Sequence, residues 1–142
     1  MRKFILIVFT CLAGMMLAED VYVSPETLAK RERRKNLTVK EWNTNDKTHT
    51  RWLDRVTTYD QQGRKIEETE YATYGQKWRK TYEYSDAVGG KVVKEVEYND
   101  KNKPARICKY EYNENGTKAK QYNYLPNGKL ESVKVFEYIF EK

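Results

Sequence analysis

The sequence is nearly empty of the side chains on which most enzymes and metalloproteins depend. It holds one histidine, His49, and two cysteines, Cys11 and Cys108. That supply cannot build a His/Cys metal cluster, and a Ser-His-Asp or Cys-His arrangement would rest on His49 alone, in a polar stretch without a motif. There is no Gly-x-Gly-x-x-Gly, no P-loop and no acid cluster at metal-ligand spacing, so no cofactor is implied. Long apolar runs are missing too. The one apolar run, Phe4 to Leu17, has 14 residues, short of the roughly 20 that a membrane helix needs. With Arg2 and Lys3 before it and Ala18 after it, this run has the layout of a secretory signal cleaved near Ala18. A lipid on Cys11 is disfavoured, because Val8, Phe9 and Thr10 stand where small residues normally precede a lipidated cysteine. Cys108 is then the one cysteine of the exported chain. It can form no internal disulfide, and its alternating surroundings suit a small buried hydrophobe.

Charge of one sign is also scarce. The formal net charge is +6, and removing Arg2 and Lys3 with the leader lowers it to +4. Basic and acidic residues are interleaved throughout, which argues against nucleic acid as a partner. The exception is Lys30-Arg31-Glu32-Arg33-Arg34-Lys35, a run that reads as a solvated helix face.

What the sequence does have is tyrosine, 12 of them, and a repeat built around it. A strand ends in Tyr, a few polar residues follow, then Gly or Asn, then often a basic residue. The units are Tyr59-Asp-Gln-Gln-Gly63-Arg64, Tyr71-Ala-Thr-Tyr-Gly75, Tyr98-Asn-Asp-Lys-Asn102-Lys103, Tyr112-Asn-Glu-Asn-Gly116 and Tyr124-Leu-Pro-Asn-Gly128-Lys129, and Tyr84 opens a longer version that reaches Gly89-Gly90-Lys91. Tyr59, Tyr71, Tyr84, Tyr98, Tyr112, Tyr124 and Tyr138 are spaced 12, 13, 14, 14, 12 and 14 apart. That period is one strand plus one turn.

The pattern predicts seven strands: Arg51–Tyr59, Arg64–Tyr71, Lys77–Tyr84, Lys91–Tyr98, Lys103–Tyr112, Thr117–Tyr124 and Lys129–Phe140. Connections this short allow only antiparallel neighbours. The expected fold is therefore mainly all-β: a seven-stranded antiparallel meander, a twisted open sheet or half-barrel, with a short N-terminal helix. The helix should start at Ser24-Pro25-Glu26, where Ser is placed to cap it, and run to about Lys35 with Asn36 near its end. Asn36 to Trp42 could add a strand, and Asn43 to Thr50 reads as a loop. The chain divides into a leader (1–18), an N-terminal segment with the helix (19–50) and a β-repeat domain (51–142).

Counting back in twos from each pre-turn Tyr collects the tyrosines, together with Trp78, Lys80, Lys94, Cys108, Lys120 and Lys134, on one face. The other face would carry Glu83, Glu97, Glu111 and Glu137. One interval breaks the parity. Gly75 to Tyr84 is 9 residues where the other turn-to-Tyr intervals are even, so an irregularity should lie between Tyr71 and Lys77, with Tyr74 the expected extra residue. Rings beside cations can hold a sugar or an acidic partner. The candidate binding residues are Trp78, Tyr84, Tyr98, Tyr112, Tyr124, Lys94 and Lys120, and the segment 19 to 50 is the available cover for that face.

The Tyr-Asp-x-x-Gly-Arg units resemble the YD-type repeats of large bacterial surface and toxin-shell proteins. Over the leader, Lys40-Glu41-Trp42 and the Trp52 to Tyr138 repeats, the chain resembles a domain-of-unknown-function family of small secreted proteins from Gram-negative gut anaerobes. That resemblance implies an exported, repeat-built β protein and supplies no site residues. The functional expectation is a secreted, non-enzymatic binding or scaffold module in the periplasm or at the cell surface, with a surface protein or polysaccharide as partner. The alternative is a hydrolase or inhibitor of exported substrates that works through the Glu-rich face.

Overall fold

The computed structural model describes residues 23–141, so the leader and its cleavage site lie outside the described residues. Helix α1 (Pro25–Arg33) begins where the sequence places it: the Ser24 hydroxyl accepts a hydrogen bond from the Thr27 backbone N–H at 3.2 Å, and Pro25 stands at the first helical position. The helix stops two residues before Lys35, and Asn36 then turns left-handed at φ 54°. Eight strands follow in one antiparallel sheet whose spatial order is the chain order: β1 (Thr38–Thr44), β2 (Arg51–Tyr59), β3 (Lys65–Ala72), β4 (Gly75–Ser85), β5 (Lys91–Tyr98), β6 (Pro104–Tyr112), β7 (Lys118–Tyr124) and β8 (Leu130–Val135).

The count corrects the expected seven. The additional strand is β1, which pairs with β2 from Thr38↔Thr58 to Thr44↔Arg51. Residues 38–44 therefore lengthen the sheet sideways instead of covering its aromatic side chains, and they share one sheet with the repeats. The turns take the form their residues dictate. Gly116 and Gly128 sit at φ 86° and 85°, and Asn102 holds the same left-handed conformation at φ 59°. The last strand ends at Val135 and not at Phe140, although Phe136 still donates its N–H to the Ala119 carbonyl at 3.1 Å.

A second correction reorganises the faces. Each of the six repeat hairpins, and not only the one after Tyr71, carries a register shift beside its pre-turn tyrosine. The next strand contributes one extra residue there: Ile66, Lys77, Val93, Ala105, Ala119 and Glu131 in turn. At the odd interval the extra residue is Lys77, while Tyr74 sits exposed in the turn. Each bulge inverts the alternation, because two residues oppose one. Successive pre-turn tyrosines therefore point to opposite faces. Tyr59, Tyr84 and Tyr112 share one face with Cys108; Tyr71, Tyr98 and Tyr124 share the other with Lys94.

No second layer covers either face among the described residues. Among the described residues Cys108, at 3% exposure, is the one buried hydrophobic residue, and no side chain there falls below 2%. Cross-strand contacts take the place of a core. On the Cys108 face the row Glu68–Lys80–Glu97–Arg106 alternates in sign across four strands. Tyr84 donates its hydroxyl to the Lys65 carbonyl at 2.6 Å, Tyr112 to Val92 at 2.6 Å and Tyr138 to Lys118 at 2.8 Å. Cations lie over the rings at this end of the sheet: Arg34 over Tyr59, Arg64 over Tyr84 and Lys91 over Tyr112. Helix α1 rests at the same end. Gly63 is closed in by the Arg31 backbone, which a Cβ at that position would strike, and Arg31 also reaches the Gly90 carbonyl.

Candidate functional site

The structure divides the sequence-predicted site residues between the two faces. Trp78, Tyr84 and Tyr112 lie on the Cys108 face; Tyr98, Tyr124, Lys94 and Lys120 lie on the Lys94 face. A single binding surface containing all seven is therefore ruled out by the bulges. The acids divide in the same way. Glu97 is on the Cys108 face, Glu83 and Glu111 are on the Lys94 face, and no single Glu-rich face exists among them.

The Cys108 face is densely ion-paired, although Arg55 Nε is buried there without a hydrogen-bond partner among the described residues. Arg55 meets Glu68 at 3.3 Å and Glu70 at 3.5 Å, and Lys65 meets Glu68 at 3.2 Å. Burial works to raise the Glu68 carboxyl, but Lys65, the Tyr82 hydroxyl and Arg55 outweigh it and hold the group below its usual range. Tyr82 and Tyr110 are pushed up, first by burial and then by the nearby carboxylates of Glu68 and Glu95 respectively. The Cys108 thiol points at Asn123 Oδ1, 3.2 Å away, and Arg106 Nε stands 3.3 Å from the sulfur. Lys80, Glu95, Glu97, Arg106 and Cys108 line a cleft of about 60 Å³, which has room for little more than water.

The Lys94 face differs. Its cross-strand rows run Glu83–Lys94–Lys109–Tyr122–Val133 and Glu111–Lys120–Val135. In the first row Lys94 and Lys109 stand directly opposite each other, a like-charge juxtaposition that costs stability in a sheet. They border an open groove of about 520 Å³, also lined by Glu83, Val93, Tyr110, Glu111, Tyr122 and Tyr124. Lys94 Nζ is 3.9 Å from Glu83, and Lys109 Nζ lies 5.3 Å from the centre of the Tyr124 ring. Tyr122 donates its hydroxyl to Glu111 at 3.0 Å, which raises the phenol above its ordinary value.

Of the predicted residues, Lys94 and Tyr124 line this groove. Lys120 is cross-strand to Glu111 at its side, and Tyr98 is occupied further along the face by Arg79, 4.0 Å from its ring. Lys109 and Tyr122 were not among the candidates. They become visible only when the repeat is read over two strands, since Tyr59, Tyr84, Tyr112 and Tyr138 recur at 25, 28 and 26 residues. No cluster of three His, Cys, Asp or Glu able to hold a metal occurs among the described residues. Among the same residues no helix is long and apolar enough to cross a membrane.

The chain matches no family model and no curated protein. Among solved structures it is similar to the crystal structure of TarM, at 21% identity over 77% of this chain and 24% of that one, with a TM-score of 0.30. It is also similar to a mutant of S. aureus TarM in complex with Fondaparinux, alpha-GlcNAc-glycerol and UDP, at 18% identity over 82% of this chain and 26% of that one, with a TM-score of 0.30. The chain spans about a quarter of those structures, and a likeness of this degree decides nothing about fold or function.

Proposed function

We propose that this protein is an exported, non-enzymatic binding module that works in the periplasm or at the cell surface, and that the Lys94 face is its contact surface. The partner is an acidic polysaccharide of the cell surface. The observation that carries this reading is the opposed Lys94–Lys109 pair beside Tyr122 and Tyr124 in an open groove. Two lysines opposed in register cost the free sheet stability, and an anion bound to both would offset that cost. The tyrosine rings supply flat apolar surface for sugar rings. An extended groove open to solvent suits a polymer better than a small ligand, which favours enclosed pockets. The test is affinity electrophoresis in gels containing polygalacturonate or, as the neutral comparison, dextran. Polygalacturonate should retard the protein, and Lys94→Gln with Lys109→Gln should abolish the retardation. Equal mobility in both gels would refute the proposal.

One observation favours the alternative, a hydrolase or inhibitor: Glu83 and Glu111 border the same groove. Glycoside hydrolysis requires one carboxyl that holds a proton and a second that stays ionised. Here Glu83 lies near Lys94 and Glu111 accepts from Tyr122, so both carboxylates already have partners within the sheet. Polysaccharide cleavage that is lost in Glu83→Gln and Glu111→Gln would move the assignment to the enzyme.

A further inference from the structure

The net charge of this protein is gathered in one place. Without residues 1–18 the chain has 25 basic and 21 acidic residues, and Lys30-Arg31-Glu32-Arg33-Arg34-Lys35 holds five of the basic and one of the acidic ones. That run carries the whole excess of +4, and the rest of the chain balances at 20 of each sign. In the structure it forms the last turn of α1 and the two residues after it. The fold uses part of it. Arg31 packs against Gly63 and reaches the Gly90 carbonyl at 3.4 Å, Arg34 lies over the Tyr59 ring, and Lys35 pairs with Glu32 at 2.6 Å. Lys30 and Arg33 are exposed and have no ion pair among the described residues. Asp60 and Asp86, the acids of the two turns beside the helix, both pair with Arg64 and leave the run uncompensated. The other acid of the helix, Glu26, stands in its first turn.

We infer that this end of the sheet docks on an anionic bilayer surface through Lys30, Arg33, Arg34 and Lys35. A chain that is neutral elsewhere and cationic at one corner is turned by an anionic plane until that corner faces it. Clusters of roughly four to eight Lys and Arg are the size that an anionic headgroup layer holds. Two observations favour a bilayer over an acidic polymer. Neither cleft described above includes a residue of α1, so the run offers no groove to a chain of sugars. Leucines also border it: Leu28, 53% exposed, stands two residues before Lys30, and Leu37, 38% exposed, stands two residues after Lys35. Aliphatic side chains set among cations suit the boundary between headgroups and acyl chains. Sugar rings instead take open aromatic surfaces, and the Tyr59 ring at this end is covered by Arg34. Docking through the helix does not use Lys94 or Lys109, so the groove stays open to its own partner.

The experiment is co-sedimentation of the protein, expressed from the full sequence, with vesicles of equal parts phosphatidylglycerol and phosphatidylcholine. The native protein should bind these vesicles and not vesicles of phosphatidylcholine alone, and binding should weaken as salt rises. Each cation near such a surface is worth roughly fivefold in partitioning. Lys30→Gln with Arg33→Gln should therefore lower the partition coefficient at least about tenfold and leave the melting temperature unchanged. Lys101→Gln with Lys103→Gln removes the same charge from exposed positions in the turn between β5 and β6, at the opposite end of the sheet. It should change partitioning by less than about twofold. No binding to the mixed vesicles, equal binding to phosphatidylcholine, or equal losses in the two double variants would each overturn the inference. So would loss of polygalacturonate retardation in the Lys30–Arg33 variant, which would assign the run to the polymer.

Discussion

The two faces of this sheet are made from the same residue types, tyrosine with lysine, arginine and glutamate, yet their charges are arranged differently. On the Cys108 face the acids and bases alternate along the row Glu68–Lys80–Glu97–Arg106, so each charge has an opposite neighbour. On the Lys94 face the corresponding row places Lys94 against Lys109 and then passes to Tyr122 and Val133. The first arrangement replaces a hydrophobic core, which a single-layer sheet lacks. The second sets two like charges side by side, each with a single weak contact of its own, Lys94 with Glu83 and Lys109 over the Tyr124 ring. On the proposed reading, the difference separates residues that hold the sheet from residues that meet a partner.

The largest expected effect comes from removing a ring on the Cys108 face. Tyr112 carries Lys91 over its ring and donates to the Val92 carbonyl. Its replacement by Ala should cost about 2–3 kcal/mol, below the ~3–5 kcal/mol of a fully buried aromatic. Tyr122→Ala on the Lys94 face should cost much less. Urea denaturation of both variants checks the contrast, and equal losses would remove it.

Alkaline titration sharpens the same contrast. Burial, with a smaller contribution from the Asp60 carboxylate, pushes the Tyr84 phenol up to about 12, and Tyr82, Tyr110 and Tyr112 are also raised. The folded protein thus keeps these protons to higher pH than the unfolded chain, whose tyrosines titrate near 10. The stability they contribute is complete below pH 10 and is lost as pH climbs from there through 12. The melting temperature should be level to about pH 9 and fall steeply above 10. Tyr84→Phe should flatten that fall.

Much of this architecture is legible in the sequence. The tyrosine period marks the strands, Gly and Asn mark the turns, and Ser24-Pro25 marks the helix start. The faces are not legible, for a physical reason. The bulged residues Ile66, Lys77, Val93, Ala105, Ala119 and Glu131 share no chemistry, because a bulge is a backbone event that most side chains tolerate. Parity counted through them therefore places every second strand on the wrong face. The Lys94–Lys109 pair was hidden for the same reason, since it exists only once the register between β5 and β6 is known. β1 was the other uncertain element, because Thr38 to Thr44 lacks the pre-turn tyrosine.

Smaller effects should separate the faces by sign. Glu97→Lys on the Cys108 face would line up three positive groups from Lys80 to Arg106. It should cost about 1 kcal/mol, less at high salt. Lys109→Glu on the Lys94 face would set an acid opposite Lys94 and should stabilise the sheet by a few tenths of a kcal/mol. Denaturant midpoints at low and high ionic strength would show both changes. A loss of stability in Lys109→Glu would mean that the lysine pair belongs to the fold.

The division of labour between the faces is tested most directly by binding. Isothermal titration with polygalacturonate compares the native protein with two charge-matched double variants, Lys94→Gln with Lys109→Gln on one face and Lys65→Gln with Lys80→Gln on the other. Each pair removes two positive charges. The native protein should bind, the Lys94–Lys109 variant should lose at least about tenfold in affinity, or 1.4 kcal/mol, and the Lys65–Lys80 variant should bind nearly as the native protein does. Equal losses in the two variants, or no binding by the native protein, would contradict the assignment of the Lys94 face as the contact surface.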